Sequence, residues 1–502
     1  GKNNIISYFP CQIRYLEFNS FFLQISEYCF FLLVEITKQM LNNRNFHLIM
    51  LFFLFFIGST TSCYANLIRD TELETKLESL LAPLVQASNI SSQIKVRIIL
   101  DSSYNAFVTG DNIIYLHSGL LLEAETLEEV MGVMAHELGH IASGHVARKG
   151  ESIQKARGAS LLSTALAAAA AIGGSGELAA GLLVGGNDRA ARQFYYGSRI
   201  NEAVADEWAL EMLDELEISS DGMAKMMQRL SQQNVLPESH QSEYYRTHPG
   251  TKQRLAVYED HLAKSNFKDS IMAEADYADF NRIVAKLSGY ENRPEQTIEF
   301  LGESPAQTPA QTPAQALENN NLSIDERYEL AIAYFRYGNS DAAMRNIQSL
   351  LLDEPENPYF YELGGEIAFA DQNLPSAIEY LTAAFDKSQQ APLIGMRLGR
   401  ALLATGIAEN YVRARDILKI AVAGEPDWPF VRREYAIALG KTGDIATASW
   451  QLAEVAFLNG DLQQANSQLK RALEQPNLSP ELKKQLIDLK FLIENAQILK
   501  AH

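Results

Sequence analysis

Between residue 70 and Ser88, Leu73, Leu77, Leu80, Leu81 and Leu84 recur at helical spacing among charged neighbours, which predicts an amphipathic helix covering one side of a core. Ile94 to Leu100 then alternates as a half-buried strand does, and after a polar turn Asn105 to Leu116 holds a second β-rich run around Gly110-Asp111-Asn112. This pattern predicts a hairpin. Glu125 to His145 reads as a helix opened by an acidic turn that suits the helix dipole. Arg199 to Trp208 is a further helical segment, with Glu202 and Asp206 four apart on one face.

Residues 159–186 have a different texture. Leu161 to Ile172 is mostly Ala and Leu, Gly173-Gly174-Ser175-Gly176 follows, and Leu178 to Val184 is apolar again. Two readings stand, peripheral contact with a membrane or a partly buried helical pair. The second is preferred, because each piece falls short of the roughly 20 residues that span a bilayer and Glu177 and the glycines split them. Near the start, Met40 is the first methionine; Asn42-Asn43-Arg44, an apolar run from Leu48 to Gly58, and small residues at Cys63 and Ala65 follow. The order is that of a signal peptide over 40–65, cut after Ala65, with residues 1–39 read as an upstream extension outside the mature protein. A lipoprotein cysteine at Cys63 ranks lower, since Thr60-Thr61-Ser62 lacks the usual leucine.

Pro305-Ala-Gln-Thr-Pro309-Ala-Gln-Thr-Pro313 cannot build a core and reads as a spacer, over 303–321. Beyond it, mostly small residues return at fixed offsets: Ala331, Ala343, Leu350 and Pro355; Gly365, Ala377 and Ala384; Leu402, Ala414, Ala421 and Pro426; Ala436, Ala448 and Val455. The central alanines of these sets, Ala343, Ala377, Ala414 and Ala448, step by 34, 37 and 34 residues, and a further set at Ala453, Ala465 and Ala472 follows 17 residues later. A two-helix unit of about 34 residues is the period of the tetratricopeptide repeat.

The 502 residues allow two or three domains, and 47% hydrophobic with 21% charged residues is a globular composition. A net charge of −19 disfavours nucleic acid as a partner. All three cysteines, Cys11, Cys29 and Cys63, precede residue 64, so a metal further along the chain must be held by histidine and carboxylate.

Candidate chemistry centres on His136-Glu137-Leu138-Gly139-His140. Histidines four apart share a helix face and can put two imidazoles on one Zn²⁺, with Glu137 a step round to reach the metal's water. His145 lies about 140° further round than His140, so it is expected to point elsewhere while the helix continues, and it is taken as structural. The metzincin spacing is not met either, since Ser143 and Val146 stand at its Gly and His positions. Glu202 is the better third ligand, with Asp206 placed to orient an imidazole N–H or steady a proton transfer.

These segments, with Thr247-His248-Pro249, a following Arg254, Asn105-Ala106-Phe107 and Ser118-Gly119-Leu120, resemble the HtpX and CAAX-protease family of zinc metallopeptidases. With a signal peptide and C-terminal repeats the chain is similar to the periplasmic BepA-type proteases of Gram-negative bacteria. The resemblance implies a mainly α protein with a small β-hairpin or sheet: a zincin-like metallopeptidase domain over 66–302, then an α-solenoid of tetratricopeptide repeats over 322–502. It implies one Zn²⁺ per chain on His136, His140 and Glu202, with Glu202 as ligand and Asp206 as proton donor. It further implies quality control of misfolded or stalled outer-membrane proteins, with the repeats docking at the assembly machinery. Two hypotheses accompany it: an extended substrate pairs with the strand at Asn105, Ala106 and Phe107, and His248, restrained by Pro249, gates the open zinc position. A plain structural role for His248 stands equally. The competing classes are a chaperone-like repeat scaffold with a dormant protease site and an integral-membrane protease.

Overall fold

The structure, a computed structural model, describes residues 67–88, 90, 93–109, 112–145, 199–232, 244, 247–302 and 322–501. They form two compact units, one taking in Leu73–Val284 and the other Ala285–His502 together with Asp70–Glu72. Segments 1–39, 40–65, 159–186 and 303–321, to which the sequence assigns an extension, a signal peptide, an apolar pair and a spacer, lie outside the described residues.

The first unit carries β1 (Leu67–Ile68), α1 (Thr71–Ala87), β2 (Lys95–Ile99), β3 (Ala106–Val108) and β4 (Ile113–His117). All five leucines of the α1 pattern are buried, because a 3.6-residue period lines them on one face. The four strands lie in the order β1-β2-β4-β3. Both arms of the hairpin come from the second β-rich run: β3 and β4 are antiparallel, Phe107 opposite Tyr115, whereas β2 runs parallel to β4, Arg97 beside Tyr115. Asn112, left-handed at φ 60, donates its N–H to the Thr109 carbonyl at 3.3 Å where the hairpin closes, a conformation asparagine tolerates. The chain thus passes β4's place before turning back, and β3 is left at the sheet edge.

After α2 (Ser118–Glu123) comes α3 (Leu127–Ala142), in which every residue from Leu127 to His140 is buried. This helix is shorter than the sequence pattern suggests. It opens with Glu128 and Glu129 in its first turn and closes at Ser143, where Gly144 turns left-handed at φ 65. A helix over 199–215, here α4, is followed by α5 (Asp221–Gln232), α6 (Thr251–Lys264), α7 (Glu274–Glu291) and α8 (Pro294–Leu301). Glycines set how closely α3 is approached: a Cβ at Gly132 would lie 2.1 Å from Met223 Cγ of α5, and one at Gly139 would lie 2.9 Å from the Ala205 carbonyl oxygen of α4. No described helix is long and apolar enough to cross a membrane.

The second unit groups the end of α7 and α8 with the helices beyond them. Gly289 packs against Ile332, and Arg336 Nη1 donates to the Gly289 carbonyl at 3.0 Å. The helices α9 (Ile324–Tyr337), α10 (Ser340–Asp353), α11 (Pro358–Ala370), α12 (Leu374–Lys387), α13 (Pro392–Ala404), α14 (Ala408–Gly424), α15 (Pro429–Lys441), α16 (Ile445–Leu458), α17 (Leu462–Leu473) and α18 (Pro480–Ala501) follow as successive helical pairs. Proline opens α11, α13 and α15 at N1, where its missing N–H costs nothing. Asn339, Asn373, Asp444 and Asp461 cap α10, α12, α16 and α17 through their side chains. In the third repeat the close-packing residue is Gly399 rather than Leu402: a Cβ there would lie 2.5 Å from Leu418 Cγ, the same distance Gly365 would give against Leu381 Cγ. The steps at this position are therefore 34, 34 and 37 from Ala331 through Gly365 and Gly399 to Ala436.

Candidate metal centre

Two turns of α3 bring His136 and His140 to one face, and α4 lays Glu202 against them. His136 Nε2 and His140 Nε2 are 3.2 Å apart; Glu202 lies 3.3 Å from the first through Oε2 and 3.5 Å from the second through Oε1. A zinc bond of about 2.0–2.1 Å in tetrahedral geometry requires donors about 3.4 Å apart, and both the separation of the two imidazole nitrogens and the distance from each to a Glu202 oxygen are of that order. His248 closes the cluster. Its Nδ1 is 2.9 Å from Glu202 Oε2 and 3.4 Å from His136 Nε2, and the donor atoms of all four residues lie within 4.8 Å of one another. All four side chains are buried.

Glu137 is buried beside this cluster, and among the described residues neither of its oxygens has a hydrogen-bond partner. Burial raises its pKa, while His248, whose Nε2 is 3.6 Å from Oε1, and His136 pull it down. A buried carboxylate without donors is expensive unless a ligand or a water meets it, which marks this one for chemistry.

Behind the cluster, Asp206 is held by four donors or ring atoms. Arg254 donates to it from Nε at 2.7 Å and Nη2 at 2.8 Å, Tyr258 donates its hydroxyl at 2.8 Å, and His136 Nδ1 stands 2.9 Å away. Burial works against the charge, but Arg254 and His136 keep the carboxyl well below the usual carboxylate range. Arg254 Nη1 also reaches Glu202 Oε2 at 3.0 Å; with His248 and His136 it holds Glu202 ionised against its burial. For His136, burial and Arg254 both oppose a charge, yet the hydrogen bonds to Asp206 and Glu202 push its pKa up to about 9. Burial, then His136, take His140 down to about 2.

The structure therefore brings His136, Glu137, His140, Glu202, Asp206 and His248 together. Ala106 and Phe107 lie in β3 at the sheet edge; Asn105 precedes it, buried, with its carbonyl taking the His117 N–H at 3.0 Å. His145 departs from expectation. Because α3 stops and Gly144 reverses the backbone, His145 does not point away: its Nδ1 is 3.0 Å from His140 Nδ1. Tyr258, four residues past Arg254 on α6, and Tyr244, four before His248, belong to no motif in the sequence, yet Tyr258 bonds Asp206 and the Tyr244 ring stacks on His248 at 4.2 Å. The fourfold spacing was the available signal, and nothing in the sequence alone says what such pairs face.

Residues 68–261 match peptidase family M48. Over 183 residues, 36% of this chain and 68% of the other, the sequence is 32% identical to metalloprotease LoiP of Escherichia coli K12. The chain belongs to peptidase family M48. It is 26% identical over 429 residues, 82% of this chain and 81% of the relative, to the beta-barrel assembly-enhancing protease of Escherichia coli K12, and a similar protein of Yersinia pestis is 24% identical over 412 residues. The resemblance to BepA-type proteases is thus borne out across both units, and this M48 chain is a metalloprotease.

Proposed function

We propose that the chain is a zinc endopeptidase in which His136, His140 and Glu202 hold one Zn²⁺ and Glu137 is the general base. The observation that carries this is the gathering of two imidazole nitrogens and the Glu202 carboxylate at 3.2–3.5 Å, spacings suited to donors of a tetrahedral zinc ion, with a buried carboxylate beside them that makes no hydrogen bond among the described residues. Bound there, zinc supplies a Lewis acid that polarises the scissile carbonyl and makes water a nucleophile near neutral pH. Glu137 accepts the proton of the attacking water and delivers it to the leaving amine; its burial, which raises its pKa, suits both halves of that transfer. Asp206 is a positioning residue. Fixed by Arg254 and Tyr258, it accepts from His136 Nδ1, leaving Nε2 as the ligand atom.

His248 stands where it can close the site, within reach of Glu202 and Glu137. This supports gating: His248→Ala should change the cleavage rate, and unaltered cleavage would dispose of the gate. β3 is the edge strand, so an extended substrate can add to it through main-chain hydrogen bonds. Proline at Phe107 should raise KM; an unchanged KM removes that docking mode. By likeness to beta-barrel assembly-enhancing proteases, the substrates are outer-membrane proteins, misfolded or stalled, met in the periplasm after export. The repeat unit recruits them or the assembly machinery.

The test is zinc stoichiometry and casein cleavage for residues 66–502. Glu137→Gln should keep zinc and lose cleavage by roughly 10²–10⁴-fold, and Glu202→Ala should lose zinc. Cleavage by Glu137→Gln at the wild-type rate would overturn the mechanism, and full zinc in Glu202→Ala would overturn the ligand set.

A further inference from the structure

We infer that His145 is a positioning residue for the metal centre: it accepts the Nδ1 proton of His140 and so fixes the tautomer and ring plane in which His140 offers Nε2 to the ion. The inference rests on the ligand set proposed above. His140 turns Nε2 toward His136 Nε2 and Glu202 Oε1, at 3.2 and 3.5 Å. A neutral imidazole carries one proton, so a ring that ligates through Nε2 must carry it on Nδ1. The atom facing His140 Nδ1, at 3.0 Å, is His145 Nδ1. Two nitrogens at that distance share one hydrogen, so with His140 the donor, His145 accepts on Nδ1 and keeps its own proton on Nε2.

The outer nitrogens of the two histidine ligands are therefore backed differently. His136 Nδ1 faces the Asp206 carboxylate at 2.9 Å, and His140 Nδ1 faces the His145 imidazole at 3.0 Å. Outer partners of this kind orient a ligand ring and raise its basicity, and losing one typically weakens metal binding about 10–100-fold. Backbone geometry shows how the partner gets there. Had α3 continued, a residue five past His140 would lie about 140° away. Instead Ser143 caps the helix and Gly144 takes φ 65, which returns His145, 5% exposed, to the ring it serves, with the two planes inclined by 65°.

Zinc affinity of the full chain, measured by competition with a chromogenic chelator, tests this without reference to catalysis. His145→Ala should bind zinc about 10–100-fold more weakly. His145→Asn carries an amide oxygen where Nδ1 stood, accepts the same proton, and should stay within about threefold of wild type. The thermal midpoints of the metal-free variants should agree with each other, so that rescue by asparagine reports the hydrogen bond and not the fold. Wild-type affinity in His145→Ala, or equal weakness in the alanine and asparagine variants, overturns the inference. His140→Ala separates the two levels: if it binds zinc as wild type does, the ligand set itself is wrong, whereas weak binding there beside full binding in His145→Ala removes the positioning role alone.

Discussion

Gly139→Ala sets packing directly against metal geometry. A Cβ at this position would lie 2.9 Å from the Ala205 carbonyl oxygen, 3.2 Å from its Cα and 3.3 Å from the Trp208 ring. Ordinary contact begins at 3.4 Å, so α3 and α4 must part by about half an ångström, and no rotamer change can relieve a clash with backbone. Ala205 lies between Glu202 and Asp206 on α4, and Gly139 precedes His140 on α3, so the separation opens the 3.5 Å edge between His140 and Glu202. A site of this kind tolerates displacements of about 0.5 Å at most, and a loss of about 10–100-fold in zinc affinity is expected, of the order found when a ligand's support is removed. Stability responds differently. Overpacking costs about 1–3 kcal/mol, alanine in place of glycine within a helix returns up to about 1 kcal/mol, and the metal-free protein should lose a net 0–2 kcal/mol, roughly. Chelator competition reads the first effect and urea unfolding of the metal-free protein the second. Gly132→Ala is the control: its Cβ would meet Met223 Cγ at 2.1 Å, a side chain on α5, which carries no proposed ligand. It should cost stability and leave zinc affinity nearly unchanged. If Gly139→Ala binds zinc as tightly as wild type, or Gly132→Ala loses as much affinity, the helix contact does not set the site.

In the repeat unit, burial pushes the Glu362 carboxyl up to about 7 against the pull of Arg397, whose Nη1 is 2.7 Å from Oε1. Its folded pKa lies above the ordinary 4.5, so between those values the folded protein keeps a proton the unfolded chain has released, and stability falls as pH rises through that window. Glu362→Gln, which does not titrate, should match wild type below about pH 4.5 and exceed it by roughly 1–3 kcal/mol at pH 8; urea midpoints at the two pH values decide, and a less stable glutamine variant at pH 8 would mean the Arg397 pair outweighs burial. Gly399→Ala should destabilise the repeats by about 1–3 kcal/mol, since its Cβ would stand 2.5 Å from Leu418 Cγ, while Leu402→Ala should cost about 2–5 kcal/mol as a cavity. A stabilised Gly399→Ala would argue against the repeat phase assigned here.

Patterns with a short range were legible in the sequence, because a helix repeats every 3.6 residues and a ligand pair four apart needs no information from elsewhere. The α1 leucines, the His136–His140 pair, the Glu202–Asp206 face and the step of about 34 residues in the repeats all belong to this class, and so do the prolines and Asn or Asp caps that open the repeat helices. What the tertiary structure decided depends on contacts between distant residues. Asp206 meets Tyr258 across 52 positions, and His248 enters a site whose first ligand is 112 positions earlier. The pairing of β2 with β4 in parallel was likewise invisible, since alternation marks a strand and says nothing of its neighbour. His145 shows the limit most plainly: helical geometry sends it away from His140, and one left-handed glycine, permitted by the missing Cβ, brings it back.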